Sequence, residues 1–187
     1  MGCVFMKAIY DLIKSDADMI YILEVVESMN LNDSWVSAGF IRNKIWDTIH
    51  GYTDKTPYND VDVIFYNADC LDESIEKRYE EQLRDIVSSI PWSVKNQARM
   101  HLKNDFNQYI DSKDAVDHYP EAPTAICARI KNGELEVHYN YSVLDLFNGI
   151  VSPTQYFNHD SGRYDVYLDR INQKQWHKPW PNLKSYT

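Results

Sequence analysis

Apolar positions recur along the chain with two different periods, and the places where the period changes predict a mixed α/β domain. Residues 5–30 follow a helical pattern. Asp16 is placed to cap a helix whose Met19, Ile20, Ile22, Leu23 and Val26 fall near helical spacing. Asn30 and Asn32 end that pattern, and residues 33–38 form a short strand running into Gly39. Ile41, Ile45 and Ile49, with Trp46 alongside, predict an amphipathic helix over 41–50 stopped by Gly51. A loop over 52–59 containing Pro57 returns the chain to a strand over 61–66. Ile75, Tyr79, Leu83, Ile86, Val87 and Ile90 line one face of a helix over 71–90, which Pro91 ends.

The second half continues the alternation. A short strand over 92–95 leads into a polar helix start, and 111–121 is loop or short helix. Strands over 124–130 and 134–139 flank Lys131-Asn132-Gly133, and Asn-Gly between alternating segments signals a hairpin. Residues 142–147 begin a short helix closed by Gly149. A helix over 164–171 precedes Trp176, Pro179, Trp180 and Pro181, expected to pack on the body in extended form. The order helix, strand, helix, strand, helix, strand, hairpin gives an α/β (α+β) class: a mixed sheet with flanking helices. One domain spans 1–187, with N-terminal helices over 1–32, a core over 33–150 and an extension over 151–187 packed on it.

The stretch 39–66 carries the candidate chemistry. Asp60 and Asp62 stand two residues apart on a strand, so their carboxylates share a face while Val61, Val63 and Phe65 take the other. Asp is depleted in strands, so two in one short strand ask for a reason. Gly39 lets backbone approach a ligand closely. The helix that follows offers unpaired N–H groups and the positive end of its dipole to a phosphate. Arg42 in its first turn adds a fork-shaped donor for phosphate oxygens. Two carboxylates suit Mg²⁺, and a pair of such ions about 3.5–4 Å apart stabilises attacking and leaving oxygens. Asn43, Asn96 and Arg99 are second-tier nucleotide contacts, since amides read base edges and guanidinium meets phosphate. His101 reads as a surface or packing residue, and most of the five tryptophans as core or edge packing.

Charge and cysteines narrow the classes. The net charge is −9 with a pI near 5.0, which weighs against a long nucleic acid, whose binding rests on phosphate neutralisation. A nucleotide needs only local cations and a metal. Cys3, Cys70 and Cys127 are odd in number and lack CxxC spacing, so idle thiols in a reducing, cytoplasmic compartment are expected. No apolar run approaches a spanning helix, and no membrane partner is expected. The start carries no secretory leader pattern, and Met6 breaks the myristoylation pattern begun by Gly2.

Ala38-Gly39-Phe40-Ile41-Arg42-Asn43, then Gly51, then Asp60-Val61-Asp62, resembles the head-domain signature of tRNA CCA-adding enzymes and bacterial poly(A) polymerases. That signature is Gly-Gly-x-Val-Arg-Asp followed by Asp-x-Asp. More closely, the chain is similar to a family of bacterial nucleotidyltransferase-like proteins in the DNA polymerase beta superfamily. The shared stretches WVSAGFIRNKIWDTIHG, DVDVIF, WSVKNQARMH, YPEAPTAICARI, LDLF and WPNL cover most of residues 33–183. The resemblance implies a nucleotidyltransferase core. It implies NTP as substrate, an acceptor hydroxyl, pyrophosphate release, and Mg²⁺ at Asp60 and Asp62. A third carboxylate is implied, with Glu136 as its candidate. Ala38 and Asn43 depart from the signature Gly and Asp. The arginine-rich nucleotide-selecting motif and tRNA-holding domains have no counterpart, so a tRNA acceptor is not implied. The alternatives are a nucleotide-binding or regulatory domain without turnover, and a partner-binding module using the aromatic tail.

Overall fold

The computed structural model describes residues 2–186, without the side chains of 2–5 and 104. Two helices open the chain, α1 (Gly2–Lys14) and α2 (Ala17–Ser28), separated where Asp16 caps the second through a bond from Met19 N–H. Then follow β1 (Trp35–Ser37), α3 (Gly39–Ile49), β2 (Val61–Phe65), α4 (Glu73–Ile86) and β3 (Trp92–Asn96). A 3₁₀ segment (Gln97–Asn104) leads to α5 (Ser112–Asp117). The hairpin β4 (Ile126–Lys131) and β5 (Glu134–Tyr139) is followed by α6 (Val143–Phe147), β6 (Ile150–Val151), α7 (Tyr164–Lys174) and β7 (Lys184–Ser185).

Five strands form one mixed sheet in the order β3-β2-β1-β4-β5. Only β2 and β3 run parallel within it, joined by α4 as a crossover. Val36, Val61, Val63, Val94, Ile126 and Ala128 project to one face and bury against α1, α2 and α3. The other face carries Trp35, Ile64 and Cys127 against Val116 of α5. The helix expected to reach residue 90 ends at Ile86, because Val87 turns extended and its carbonyl accepts the Trp92 indole N–H. Ile86 is half exposed rather than buried. Cys127 is buried and Cys70 half-buried as free thiols, while the Cys3 side chain lies outside the described residues.

The C-terminal segment is not extended. Residues 175–182 form hydrogen-bonded turns, with Trp180 N–H donating to Trp176 O. Trp176 and Trp180 pack edge-on against Trp46 of α3, at 5.4 and 5.0 Å between ring centroids. Trp180 also donates its indole N–H to buried Asp47 at 2.8 Å. Those two rings are spent on the interior, while Tyr186 near the end of the chain stays exposed. Asp47 accepts two further bonds from Thr56, which pins the loop that leads to Asp60. Among the described residues no helix is long and apolar enough to cross a membrane.

Asp16 is a second anchor. Burial pushes its carboxyl up, but hydrogen bonds from Lys55, Lys44 and Met19 N–H outweigh that and leave it below the ordinary 3.8. A depressed carboxyl contributes stability above its unfolded value, which is lost as pH falls through the folded one. Urea melts between about pH 5 and pH 2 are therefore expected to show an acid-side loss of stability that Asp16→Asn reduces.

Candidate active site

Register brings a polar row onto one face of the sheet. Ser93, Asp62, Ser37, Cys127 and His138 lie side by side on β3, β2, β1, β4 and β5. Directly after Ser37 the chain turns sharply into α3. Ala38, standing where the resembled signature has Gly, holds φ 58° and ψ −120°. A Cβ-bearing residue is strained there, and such strain concentrates at functional sites. Ala38 makes no side-chain cap, and its carbonyl takes the N–H groups of Ile41 and Arg42. The first N–H groups of α3, at Gly39 and Phe40, precede that ladder and are free to meet a ligand.

Arg42 defines the chemistry at this helix start. It is 8% exposed. Its guanidinium lies in the corner of two edge-to-face indoles, 4.8 Å from the Trp46 centroid and 4.6 Å from that of Trp176. Nη2 donates to Asn43 Oδ1 at 2.9 Å, while Nε is buried without a partner. Burial lowers its pKa from 12.5 to about 10, with Glu121, Asp62 and Asp60 pulling the other way. Arg42 therefore stays charged at neutral pH. Among the described residues no carboxylate lies within 4.0 Å of it. Gly39 makes this placement possible, since a Cβ there would stand 3.3 Å from Arg42 Nη2. The glycine thus makes room for the guanidinium, a role beyond the close ligand approach expected of it.

Asp60 and Asp62 open into the same cavity, of about 480 Å³. Asp60 is exposed and Asp62 half-buried. Burial and the neighbouring Asp60 push the Asp62 carboxyl up, while Ser93, Lys174 and Arg42 draw it down less strongly. Two like charges sharing a face disfavour ionisation of both, and a cation between them relieves that repulsion. Two hard oxygen donors with an open side suit Mg²⁺ completed by water and phosphate. Among the described residues there is no group of three or more His, Cys, Asp or Glu side chains placed to hold a metal ion.

Of the eight residues singled out from the sequence, Gly39, Arg42, Asp60 and Asp62 line this cavity together. Asn43 lies behind it as the acceptor for Arg42. Asn96 and Arg99 do not line the cavity, although their neighbours Lys95, Gln97 and Met100 do. The Asn96 amide bonds the chain at Asn67, Cys70 and Ala98, which uses all its donors and acceptors. Arg99 forms a two-pronged pair with buried Glu76 and reaches Glu73. Glu136, the candidate third carboxylate, does not line the cavity either. It sits on β5, three strands from β2 and two residues along, roughly 15 Å away by standard strand spacing, and it accepts from Arg129 at 2.7 Å.

The opposite wall comes from α7, which sequence reasoning left unassigned. Val166, Asp169, Arg170, Gln173 and Lys174 line the cavity, and their spacing of three and four is one helical face. That stripe was the available signal. Arg170 is held by fully buried Glu121, at 2.6 Å from Nε to Oε1, and this carboxylate raises its pKa despite burial. Among the described residues Lys174 has no carboxylate within 4.0 Å. The cavity thus concentrates cations in an acidic chain and places Asp169 as its third carboxylate.

A family model described as nucleotidyltransferase matches residues 24–185. A solved NMR structure, described as revealing a CCA-adding enzyme head domain, shares 31% identity and a TM-score of 0.85. The likeness covers 97% of this chain and 95% of that one. A tRNA-processing enzyme in an apo form shares 13% identity and a TM-score of 0.49, over 88% of this chain and 44% of that one. No curated protein matches the chain.

Proposed function

We propose that this chain, which belongs to the nucleotidyltransferase family, transfers a nucleoside monophosphate from an NTP to an acceptor hydroxyl. The observation that carries this reading is Arg42. A buried guanidinium without a carboxylate partner is costly, and it stands in one cavity with Asp60 and Asp62. A polyphosphate bearing a divalent cation answers both halves of that charge pattern.

In the proposed reaction the acceptor oxygen forms a bond to the α-phosphorus and the bond to the bridging oxygen breaks. Pyrophosphate leaves, and the hydroxyl proton passes to a carboxylate of the cavity, for which Asp169 is the candidate. Arg42, the free N–H groups of α3 and Lys174 hold the β- and γ-phosphates against the leaving direction. Asn43 keeps Arg42 aimed. Asp60 and Asp62 would hold divalent cations, Mg²⁺ by the hardness of their oxygens, which supply charge neutralisation when bound.

Nucleotide binding without turnover is the second reading, favoured by the engagement of Glu136 with Arg129. Titration with Mg²⁺ and each NTP, followed by NMR, is expected to shift Gly39, Arg42, Asp60 and Asp62. Silence at millimolar ligand would overturn both readings. If shifts occur, pyrophosphate release across a panel of acceptor hydroxyls supports transfer, and its absence supports binding alone.

A further inference from the structure

Arg42 reaches the cavity under two constraints of different origin. Trp46 lies one turn along the same helix, so that stack is local and forms whenever α3 does. The second ring comes from the far end of the chain, Trp176 at 4.6 Å. Trp176 is itself 7% exposed and fixed by its surroundings. Its carbonyl accepts from Trp180 N–H, and the Trp180 indole is tied to Asp47 on α3.

A guanidinium carries all its donors in its plane. Trp46 and Trp176 meet at 70° with centroids 5.4 Å apart, so the two rings form a corner that confines the guanidinium on adjacent sides, while Arg42 lines the cavity. One ring alone would let the long side chain swing away toward solvent, since arginine carries large rotamer freedom. Lys and Arg stack on indole with energies that grow when water is excluded, and both rings here are buried.

We propose that Trp176 is a positioning residue for the anion site, holding Arg42 in the corner it forms with Trp46, where the guanidinium meets a polyphosphate. This rests on the nucleotide reading of the cavity. The C-terminal turn is thereby part of the site rather than a cover over it, and recognition of the triphosphate depends on a ring that never touches the ligand.

The test compares Trp176→Leu with Trp176→Phe, each checked for a cooperative thermal melt. Trp176→Met, a longer and more adaptable side chain without a ring, stands in if the leucine variant unfolds. Calorimetry with Mg²⁺ and an NTP is expected to show about tenfold weaker binding for Leu and within about threefold for Phe, the loss and the near-retention of a desolvated cation–π face. Binding of the corresponding nucleoside, which lacks phosphates, is expected to stay unchanged. In the free protein, the Arg42 Nε–H NMR signal is expected to move and exchange faster in the leucine variant than in the phenylalanine variant.

Wild-type affinity in the leucine variant overturns the proposal, and so does equal loss in both variants, which marks plain packing. If no NTP binds the wild type, the free-protein signal decides. Its movement in the leucine variant alone means that the nucleotide reading has failed while the positioning of Arg42 by Trp176 stands. An unmoved signal overturns the positioning as well.

Discussion

Replacing Asp62 by Asn is expected to lower NTP-dependent pyrophosphate release by about 10²–10³-fold, the usual loss when one electrostatic group is removed from a transition-state site. The thermal midpoint is expected to hold or rise. Burial and Asp60 raise the Asp62 carboxyl above its ordinary value. For an acid whose folded pKa is raised, ionisation costs stability as pH increases through the unfolded pKa. A neutral amide of the same shape removes that cost at pH 7. Activity and stability therefore move in opposite directions, a signature that a residue kept for folding does not give. A pyrophosphate assay paired with a melting curve measures both, and a variant that keeps full turnover would sink the catalytic assignment.

Glu121→Ala is expected to give the largest stability loss outside the apolar core. Glu121 is fully buried and accepts from Arg170 Nε and Nη2 and from Thr124 Oγ1. Its removal strands a guanidinium that lines the same cavity as Arg42. Breaking a buried pair by deleting one partner costs about 3 kcal/mol at the low end, the end appropriate to Arg170, whose side chain is 35% exposed. For a chain of this size that corresponds to a drop of roughly 6–12 °C in Tm. Because Arg170 anchors α7, the same variant is expected to weaken NTP binding. Circular dichroism melts and an NTP titration check the two parts, and a Tm within about 2 °C of wild type would show that Glu121 is not the anchor.

The legible part of this protein was local. Alternation over Val61–Phe65 buries Val61, Val63 and Phe65 and leaves Asp62 facing the cavity, because a strand's period of two assigns faces without knowing the neighbours. The four-residue spacing of Ile41, Ile45 and Ile49 describes α3, and Asn-Gly marks the hairpin, where Asn132 and Gly133 both take positive φ. Gly39 and Arg42 fall within one turn of each other, so their meeting at the helix start needed no long-range information.

What spacing left open was the choice among polar residues of equal promise. Arg42 and Arg99 carry the same group, yet Arg99 is paired with Glu76, while among the described residues Arg42 has no carboxylate within 4.0 Å. Which carboxylate reaches which guanidinium depends on the packing of α4 against β3, and sequence spacing holds no record of it. Glu136 shares the Asp62 face of the sheet and is still too far, because strand order, rather than alternation, sets lateral distance.

By itself, then, the sequence determined the class of fold, the carboxylate pair and the helix start with its glycine and arginine, since each rests on periodicity or on neighbours within a few residues. Only the tertiary structure decided what stands opposite. Asp169, Arg170 and Lys174 come from a helix more than a hundred positions away, and Trp176 closes over Arg42 from beyond it. Desolvation supplies the physical reason: a guanidinium becomes an anion site when burial removes its water and leaves donors unmet, and burial is a property of the folded chain.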